Sequence, residues 1–223
     1  MDRTEVEYLL RSIRSDIKQY RFIVGELHRY FSKGNIKLLE IGAGSRVIKN
    51  LIPKNITYHS LDFGKEHTYQ FNLDDGNFPI KNVVYDIIVC TETLEHVMYP
   101  HRIMNEMLRV AKKDAIFFIS QPNEYNFLQR IYYLMAKKPA ITDETYRIVE
   151  KHQHIHRPRV EDIIKFISTY LRIEKIWYIW QSRQSGHGKF KAAARIIDKF
   201  IGKLAYLLPS LFSRLVLIKA RKK

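Results

Sequence analysis

The stretch Leu38-Leu39-Glu40-Ile41-Gly42-Ala43-Gly44 decides the fold class of this 223-residue chain. Residues 36–41 are typical of a short buried strand, and the two glycines that follow predict a tight turn. Because glycine has no side chain, the backbone of such a turn can approach a ligand closely. An acidic residue, Asp62, ends the next predicted strand, where a carboxylate can accept hydrogen bonds from both hydroxyls of a ribose. The sequence therefore predicts that a nucleoside-containing cofactor binds at this turn.

Strand-like and helix-like segments alternate along the rest of the chain. The predicted strands are 36–41, 56–61, 69–73, 85–90, 115–120, 173–180 and 215–220. The predicted helices between them are 47–51, 100–111, 124–136 and 160–170. This alternation indicates an α/β fold, with a mostly parallel seven-stranded sheet and helices on both faces. The last strand is predicted to return antiparallel to the one before it.

The glycine turn differs from that of a dinucleotide-binding fold. Such a fold needs a further glycine three residues after Gly44, where this chain has Val47. It also has no need of Glu40 just before the turn. The turn therefore favours a different nucleoside cofactor over NAD.

Five motifs between Lys37 and Asn123 resemble, in the same order, those of the class I S-adenosylmethionine-dependent methyltransferases. The resemblance is to the subgroup with an E-x-G-x-G first motif and a Leu-Glu-His sequence after the fourth strand. The motifs are Glu40–Gly44; Leu61–Asp62; Asn72–Asp74 with Phe78–Pro79; Tyr85–Val89 followed by Glu92–Val97; and Glu106 with Arg109–Val110 before Pro122–Asn123. The resemblance implies the Rossmann-like fold of that class, methyl-transfer activity and S-adenosylmethionine as the cofactor.

The resemblance also implies cofactor contacts at the first two motifs. Gly42 and Gly44 would pass beneath the methionine part of the cofactor, and Glu40 would order its ammonium group. Asp62 would hold the ribose, and Phe63 would lie beside the adenine.

Further contacts are implied at the next two motifs. Asn72 and Leu73 would border the edge of the adenine, while Thr91 and Glu92 would line the site near the methionyl group. The chain departs from the family at Arg46, where a third glycine is common.

Residues 137–158 form a long predicted polar loop with three histidines, and loops of this length are usually functional. Methyl transfer from a sulfonium needs alignment above all, but a hydroxyl acceptor would benefit from a base. His154 and His156 are the candidate catalytic bases, with an ordinary solvated loop as the alternative. The His-x-His-x-His pattern could also bind metal, but Glu150 is the only carboxylate beside it along the chain, so we predict no metal site.

We expect one domain with appendages: an N-terminal helical cap at 1–34 and a methyltransferase domain at 35–223. The second includes the variable loop 137–158 and a basic amphipathic insertion at 186–213. A helix is predicted from Lys189 to Phe212, broken near Pro209, in which apolar and cationic residues lie mostly on different lines. Its apolar line is Phe190, Ile197, Ile201, Leu204, Leu208 and Leu211, and its cationic residues are Lys191, Arg195, Lys199 and Lys203. Such a helix could pack on the domain, contact an anionic membrane or cover the acceptor site.

Composition bears on localisation. No secretory signal is evident at the start of the sequence, and no run reaches the roughly 18 apolar residues of a spanning helix. The single cysteine, Cys90, lies in an apolar strand and is expected to be a reduced core residue. We predict a cytoplasmic protein, with peripheral contact at the inner face of the membrane as an option.

Three functions are compatible with these features. The first is a methyltransferase acting on a small-molecule, glycan or lipid-linked acceptor. The second is an RNA methyltransferase, motivated by the net charge of +15 and by Tyr132, Tyr133, Trp177 and Trp180, which could stack bases. The sequence has no recognisable nucleic-acid-binding module, which makes nucleic acid the weaker choice. The third is a non-catalytic protein that binds S-adenosylmethionine, because a fold does not guarantee a reaction.

Overall fold

The computed structural model describes residues 18–28, 35–52, 55–136, 153–180 and 191–223. Its strands are β1 (Ile36–Ile41), β2 (Ile56–Asp62), β3 (Tyr69–Gln70), β4 (Tyr85–Thr91), β5 (Ala111–Pro122), β6 (Leu171–Ile179) and β7 (Leu215–Lys222). Its helices are α1 (Lys18–Leu27), a short 3-10 helix (Val47–Asn50), α2 (Pro100–Val110), α3 (Phe127–Leu134), α4 (Val160–Tyr170), α5 (Lys191–Leu207) and α6 (Pro209–Phe212).

The strands form a seven-stranded sheet in the order β3-β2-β1-β4-β5-β7-β6. Neighbouring strands from β3 to β5 pair in parallel, and β7 lies between β5 and β6, antiparallel to both. The predicted Rossmann-like α/β fold with a reversed last strand is therefore confirmed. The strand order changes direction between β1 and β4, and ligands of open α/β sheets bind outside the carboxyl ends of strands at such a point.

The sheet is covered by apolar residues on both faces. Along β1, Leu38 belongs to one buried cluster while Leu39 and Ile41 belong to the other, as the alternation of side chains along a strand requires. Burial on both faces explains why the strands are apolar at nearly every position. Cys90 of β4 lies in this core as expected, and burial raises the pKa of its thiol to about 12.

Helix α1 packs on one face of the sheet through Ile23, Val24 and Leu27. It is also anchored by charge, since the Glu26 carboxylate accepts hydrogen bonds of 3.0 Å from Lys175 of β6 and from Lys219 of β7. The predicted N-terminal helical cap at 1–34 is described only at 18–28. Residues 1–17 and 29–34 lie outside the described residues, so the division at residue 34 stays a prediction.

Strands β3 and β5 differ most in length from the prediction, for local reasons. β3 ends at Gln70 because the next residues turn: Asn72 Oδ1 accepts a hydrogen bond of 3.1 Å from the Asp74 backbone N–H. β5 begins at Ala111 rather than 115 because Ala111 already pairs with Tyr85. The loop predicted at 137–158 is described only from residue 153.

The helix predicted from Lys189 to Phe212 with a break near Pro209 corresponds to α5 and α6, and Lys189 and Phe190 lie outside the described residues. The Trp180 indole N–H donates to Asp198 at 3.0 Å, which turns that face of α5 inward. The exposed side chains described on α5 include both apolar and cationic residues, among them Ile196, Lys199, Phe200, Lys203 and Leu207. The side chains of 191–195 and 197 lie outside the described residues, so the predicted separation into an apolar and a cationic line stays a prediction.

In the described part of the chain, no helix combines the length and the apolar character needed to cross a bilayer.

Candidate active site

A cavity of about 210 Å³ opens at the carboxyl ends of β1, β2 and β4, where the strand order changes direction. Six of the nine residues predicted to bind the cofactor line it: Gly42, Asp62, Phe63, Asn72, Leu73 and Glu92. The other three, Glu40, Gly44 and Thr91, lie on the same strands or turn but are not part of its lining. The fold therefore brings residues from four sequence motifs to one place.

The turn after β1 needs glycine for two separate reasons. Gly42 has a φ of +64°, and a Cβ atom there would collide with the side chain of Thr93. Gly44 has a φ of +45° but open space around it, so only its backbone conformation favours glycine. Arg46, at the place of the family's third glycine, also has a left-handed backbone with a φ of 54°. The left-handed backbone at position 46 thus explains why the family commonly has glycine there.

Asp62 is held by the same turn. Its two carboxylate oxygens accept hydrogen bonds from the backbone N–H groups of Gly44, at 2.8 Å, and Phe63, at 2.7 Å. A carboxylate oxygen has lone pairs for more than one donor, so ribose hydroxyls could still be bound. The Phe63 ring at the cavity is 67% exposed, which leaves an aromatic face for a flat base.

Asn72 uses its side chain within its own turn. Besides accepting from Asp74, its amide donates a hydrogen bond of 3.0 Å to Asp75. Its contribution to the cavity is therefore a fixed turn that presents Leu73 beside it.

Glu40 lies beneath the glycine turn and is buried. One carboxylate oxygen accepts a hydrogen bond from the Tyr58 hydroxyl, and the other has no hydrogen-bond partner among the described residues. Burial raises the pKa of this carboxyl to about 7, and the negative charge of Asp62 adds to the effect. A cationic group bound nearby would stabilise the ionised form.

Helix α1 reaches the site, which the sequence analysis missed. The Gln19 side-chain amide donates to the Glu92 carboxylate at 2.9 Å, and the hydroxyls of Tyr20 and Thr91 are hydrogen-bonded at 3.2 Å. Thr91 therefore faces α1. Glu92 has a φ of +49°, a strained conformation that is common at functional sites.

The two candidate bases occupy different environments. Nδ1 of His154 is 2.6 Å from the Glu124 carboxylate, and its ring meets the His96 ring edge-on at 4.6 Å. Nε2 of His156 is 3.0 Å from the Val97 carbonyl oxygen. His154 therefore belongs to a partly buried polar cluster, whereas His156 lines a second cavity.

The second cavity has a volume of about 610 Å³ and lies beside the first. Segment 93–98 separates them, with Leu94 and Met98 on the second cavity and Thr93 and Val97 on the first. Most of the second lining is apolar. Its polar members include His101, Arg102, Gln121, His156 and Asp162.

Beside these cavities, Glu95 is fully buried, and neither of its carboxylate oxygens has a hydrogen-bond partner among the described residues. Burial raises the pKa of this carboxyl well above its usual range. Sequence reasoning gave Glu95 no role, because its burial depends on how distant segments pack.

Comparison with known proteins identifies the family. A family profile described as a methyltransferase domain matches residues 14–170. The chain therefore belongs to this family, and the class I S-adenosylmethionine-dependent methyltransferase predicted from the sequence is confirmed. A comparison with curated protein sequences found no match.

Solved structures share the fold at low sequence identity. An S-adenosylmethionine-dependent methyltransferase from Mesorhizobium loti is 12% identical, with a TM-score of 0.55 over 94% of this chain and 100% of that one. A SAM-dependent methyltransferase from Aquifex aeolicus is 11% identical, with a TM-score of 0.51 over 100% of both chains. The [4+2]-cyclase SpnF is 13% identical, with a TM-score of 0.51 over 91% of this chain and 81% of that one. The fold thus also occurs in a protein named for another reaction.

The residues present fit S-adenosylmethionine. The unpartnered buried oxygen of Glu40 suits its ammonium group, Gly42 and Gly44 keep side chains away from the turn, and Asp62 and Phe63 suit a nucleoside. When bound, this cofactor supplies a methyl group on a positively charged sulfur. The protein's task is to orient the acceptor toward it and exclude water.

Replacing Asp62 by alanine should weaken S-adenosylmethionine binding by about 1–3 kcal/mol, or about 5- to 150-fold, because the ribose hydroxyls lose a buried acceptor. Isothermal titration calorimetry measures the change, and circular dichroism verifies folding. Asp114→Ala is the matched control, since this exposed carboxylate lies far from the cavity and its loss should leave affinity unchanged. An unaltered dissociation constant in folded Asp62→Ala would place the ribose elsewhere.

Cofactor affinity should fall as pH is lowered from about 7 to 5.5. Because the pKa of Glu40 is raised to about 7, its carboxyl is protonated below that pH in the free protein. Binding an ammonium group then requires release of a proton, so affinity should change by up to about tenfold per pH unit. Glu40→Gln should remove this dependence. If the calorimetric pH profile of Glu40→Gln matches the wild type, Glu40 does not bind the ammonium group.

Proposed function

We propose that this methyltransferase transfers its methyl group to a hydroxyl of an apolar small-molecule or lipid-linked acceptor, including a lipid-linked glycan. The observation that carries the proposal is the cavity of about 610 Å³ next to the cofactor cavity. Its volume lies within the range of small-ligand sites, and its apolar walls suit a ring or a hydrocarbon chain. Its few polar side chains could orient the reactive end.

The environment of His156 supports a hydroxyl acceptor. Because a carbonyl oxygen can only accept, Nε2 of His156 must donate its proton to Val97, which leaves the lone pair on Nδ1. A neutral imidazole with a fixed tautomer can take the proton that the acceptor hydroxyl loses. His156 is therefore our candidate base, while His154 is engaged with Glu124.

An RNA acceptor is less well supported. Trp177 and Trp180 are buried and cannot stack bases, although Tyr132 and Tyr133 are exposed on α3. Single-strand binding uses exposed aromatic residues along a cationic groove. The walls of the second cavity are mainly apolar, which does not suit a phosphate backbone.

His156→Ala should lower turnover by roughly 10²–10⁴ without changing S-adenosylmethionine affinity, because only proton removal is lost. The measurement is transfer of labelled methyl from S-adenosylmethionine to an organic-solvent extract of the source cells. Asp114→Ala, whose exposed carboxylate lines neither cavity, should keep most of the activity.

The same assay separates the three functions. Label should enter the organic-solvent extract, whereas label in an RNA fraction alone would favour the RNA alternative. Cofactor binding without transfer to any fraction would favour the non-catalytic alternative. Full activity of His156→Ala would contradict the assignment of the base.

We also propose that the protein contacts an anionic membrane through α3 and α5. Apolar side chains are exposed on both helices, including Leu134, which is 87% exposed, and Ile196, which is 71% exposed. Both helices contact Trp180. Its ring stacks on Phe127 of α3, and its indole N–H donates a hydrogen bond to Asp198 of α5. The exposed apolar residues of α5 lie among lysines, a combination suited to an anionic lipid surface.

Sedimentation with phosphatidylglycerol vesicles tests this contact. The wild type should sediment with them, and not with neutral vesicles, because each lysine near the anionic surface adds about 1 kcal/mol. The Lys199→Gln/Lys203→Gln double variant should lose most of the binding. The Lys49→Gln/Lys81→Gln variant, with exposed lysines outside α3 and α5, should retain it. Equal losses in the two double variants, or binding insensitive to salt, would contradict a specific electrostatic contact.

A further inference from the structure

We propose that Glu95, His96 and His154 bind a divalent first-row transition-metal ion, with Zn²⁺ as the best fit, beside the cofactor cavity. Each of these residues offers one ligand atom, and the three atoms lie within 4.8 Å of one another. Such a group is compact enough for a common ion. No metal site was predicted from the sequence, because Glu95 and His96 are far from His154 along the chain.

Two distant segments are held together at this cluster. Glu95 and His96 follow β4, and His154 precedes α4. The backbone N–H groups of Ile155 and His156 donate to the Glu95 carbonyl oxygen at 2.8 and 3.1 Å. These two hydrogen bonds fix His154 against Glu95, so the arrangement does not depend on the side chains alone.

Glu95 supplies the independent reason to expect a cation. Its side chain is fully buried, and both oxygens are without a hydrogen-bond partner among the described residues. Burying a carboxyl group without compensation is costly, whereas a metal ion would compensate it. A merely structural glutamate at this position would be expected to have donors around it.

His154 is hydrogen-bonded to a carboxylate through the ring nitrogen that would not bind the metal, as metal-binding histidines usually are. With Nδ1 donating its proton to the Glu124 carboxylate at 2.6 Å, Nε2 keeps the lone pair that coordination needs. A carboxylate on the second nitrogen fixes the tautomer and makes the imidazole a better ligand. Glu124 would thus act as a positioning residue.

The chemical types of the three ligand atoms indicate which metal ion the site would bind. Two imidazoles and one carboxylate suit Zn²⁺ and its neighbours in the first row, whereas Mg²⁺ and Ca²⁺ prefer oxygen ligands. Three protein ligands also leave a coordination position open, as in catalytic zinc sites.

The position of the cluster indicates a use for the open coordination position. His96 lines the cofactor cavity, and the segment that carries it borders the acceptor cavity. A bound ion could take the acceptor hydroxyl as a ligand and lower its pKa. This role rests on the proposed function, whereas metal binding itself does not.

The test uses full-length protein without a histidine tag, freed of metal by a chelator. Titration with Co²⁺, followed by its visible absorbance, and competition with Zn²⁺ should show one equivalent bound. His96→Ala and His154→Ala should each weaken Zn²⁺ binding at least about 100-fold. Glu124→Gln should weaken it about 10- to 100-fold, because it supports a ligand without being one. His156→Ala, two residues from His154, is the matched control and should bind as the wild type does.

The site would be overturned by binding below one equivalent, or by unchanged dissociation constants for Zn²⁺ in folded His96→Ala and His154→Ala. Glu95→Gln should also weaken Zn²⁺ binding, and an unchanged dissociation constant in this variant would contradict its role as a ligand. Circular dichroism establishes folding for each variant. Metal binding and S-adenosylmethionine binding are measured separately from methyl transfer. If the ion binds but no organic acceptor is methylated, the proposed function fails and the metal site stands.

Discussion

The contact between Thr93 and the backbone at Gly42 is the constraint on which the site depends. Because Gly42 has no Cβ atom, the Thr93 side chain fits against the turn after β1. Its hydroxyl lies between two carbonyl oxygens that can share its proton, that of Thr91 at 3.0 Å and that of Ile41 at 3.3 Å. This contact fixes the segment after β4 against the end of β1. Glu92, His96 and the wall between the two cavities take their positions from it.

The site also differs in charge from the chain as a whole. The net charge of the sequence is +15, whereas the carboxyl groups of Glu40 and Glu95 are buried beside the cavities. Glu40 and Glu95 are both buried, and each has an oxygen without a hydrogen-bond partner in the described residues. Such groups are stabilised when a cation binds beside them. The interior is thus arranged for positively charged ligands, although the protein as a whole repels them.

Local sequence patterns were sufficient to predict the sheet and most of the residues that line the candidate cofactor cavity. Buried parallel strands are apolar at most positions, and a glycine turn and a strand-ending acid can be recognised from neighbouring residues, so Gly42 and Asp62 could be proposed. Thr93, Gln19 and Glu95 could not, because their roles come from contacts between segments far apart in the chain. Gln19 and Glu92, for example, are 73 residues apart. The exposed apolar residues Ile196 and Phe200 of α5 were not identified either, since the contact between Trp180 and Asp198 sets the rotation of the helix and periodicity alone does not.

The place of β7 in the sheet has a consequence for the order in which the protein can assemble during synthesis. Among the described strands, β6 pairs only with β7, which leaves the ribosome later, so β6 cannot join the sheet when it first emerges. Helix α1 is synthesised early. The hydrogen bonds of its Glu26 can form only after Lys175 and Lys219, 149 and 193 residues further on, have been synthesised. Since α1 also positions Glu92 and Thr91, the nascent chain should acquire a competent cofactor pocket only after β7 has been translated.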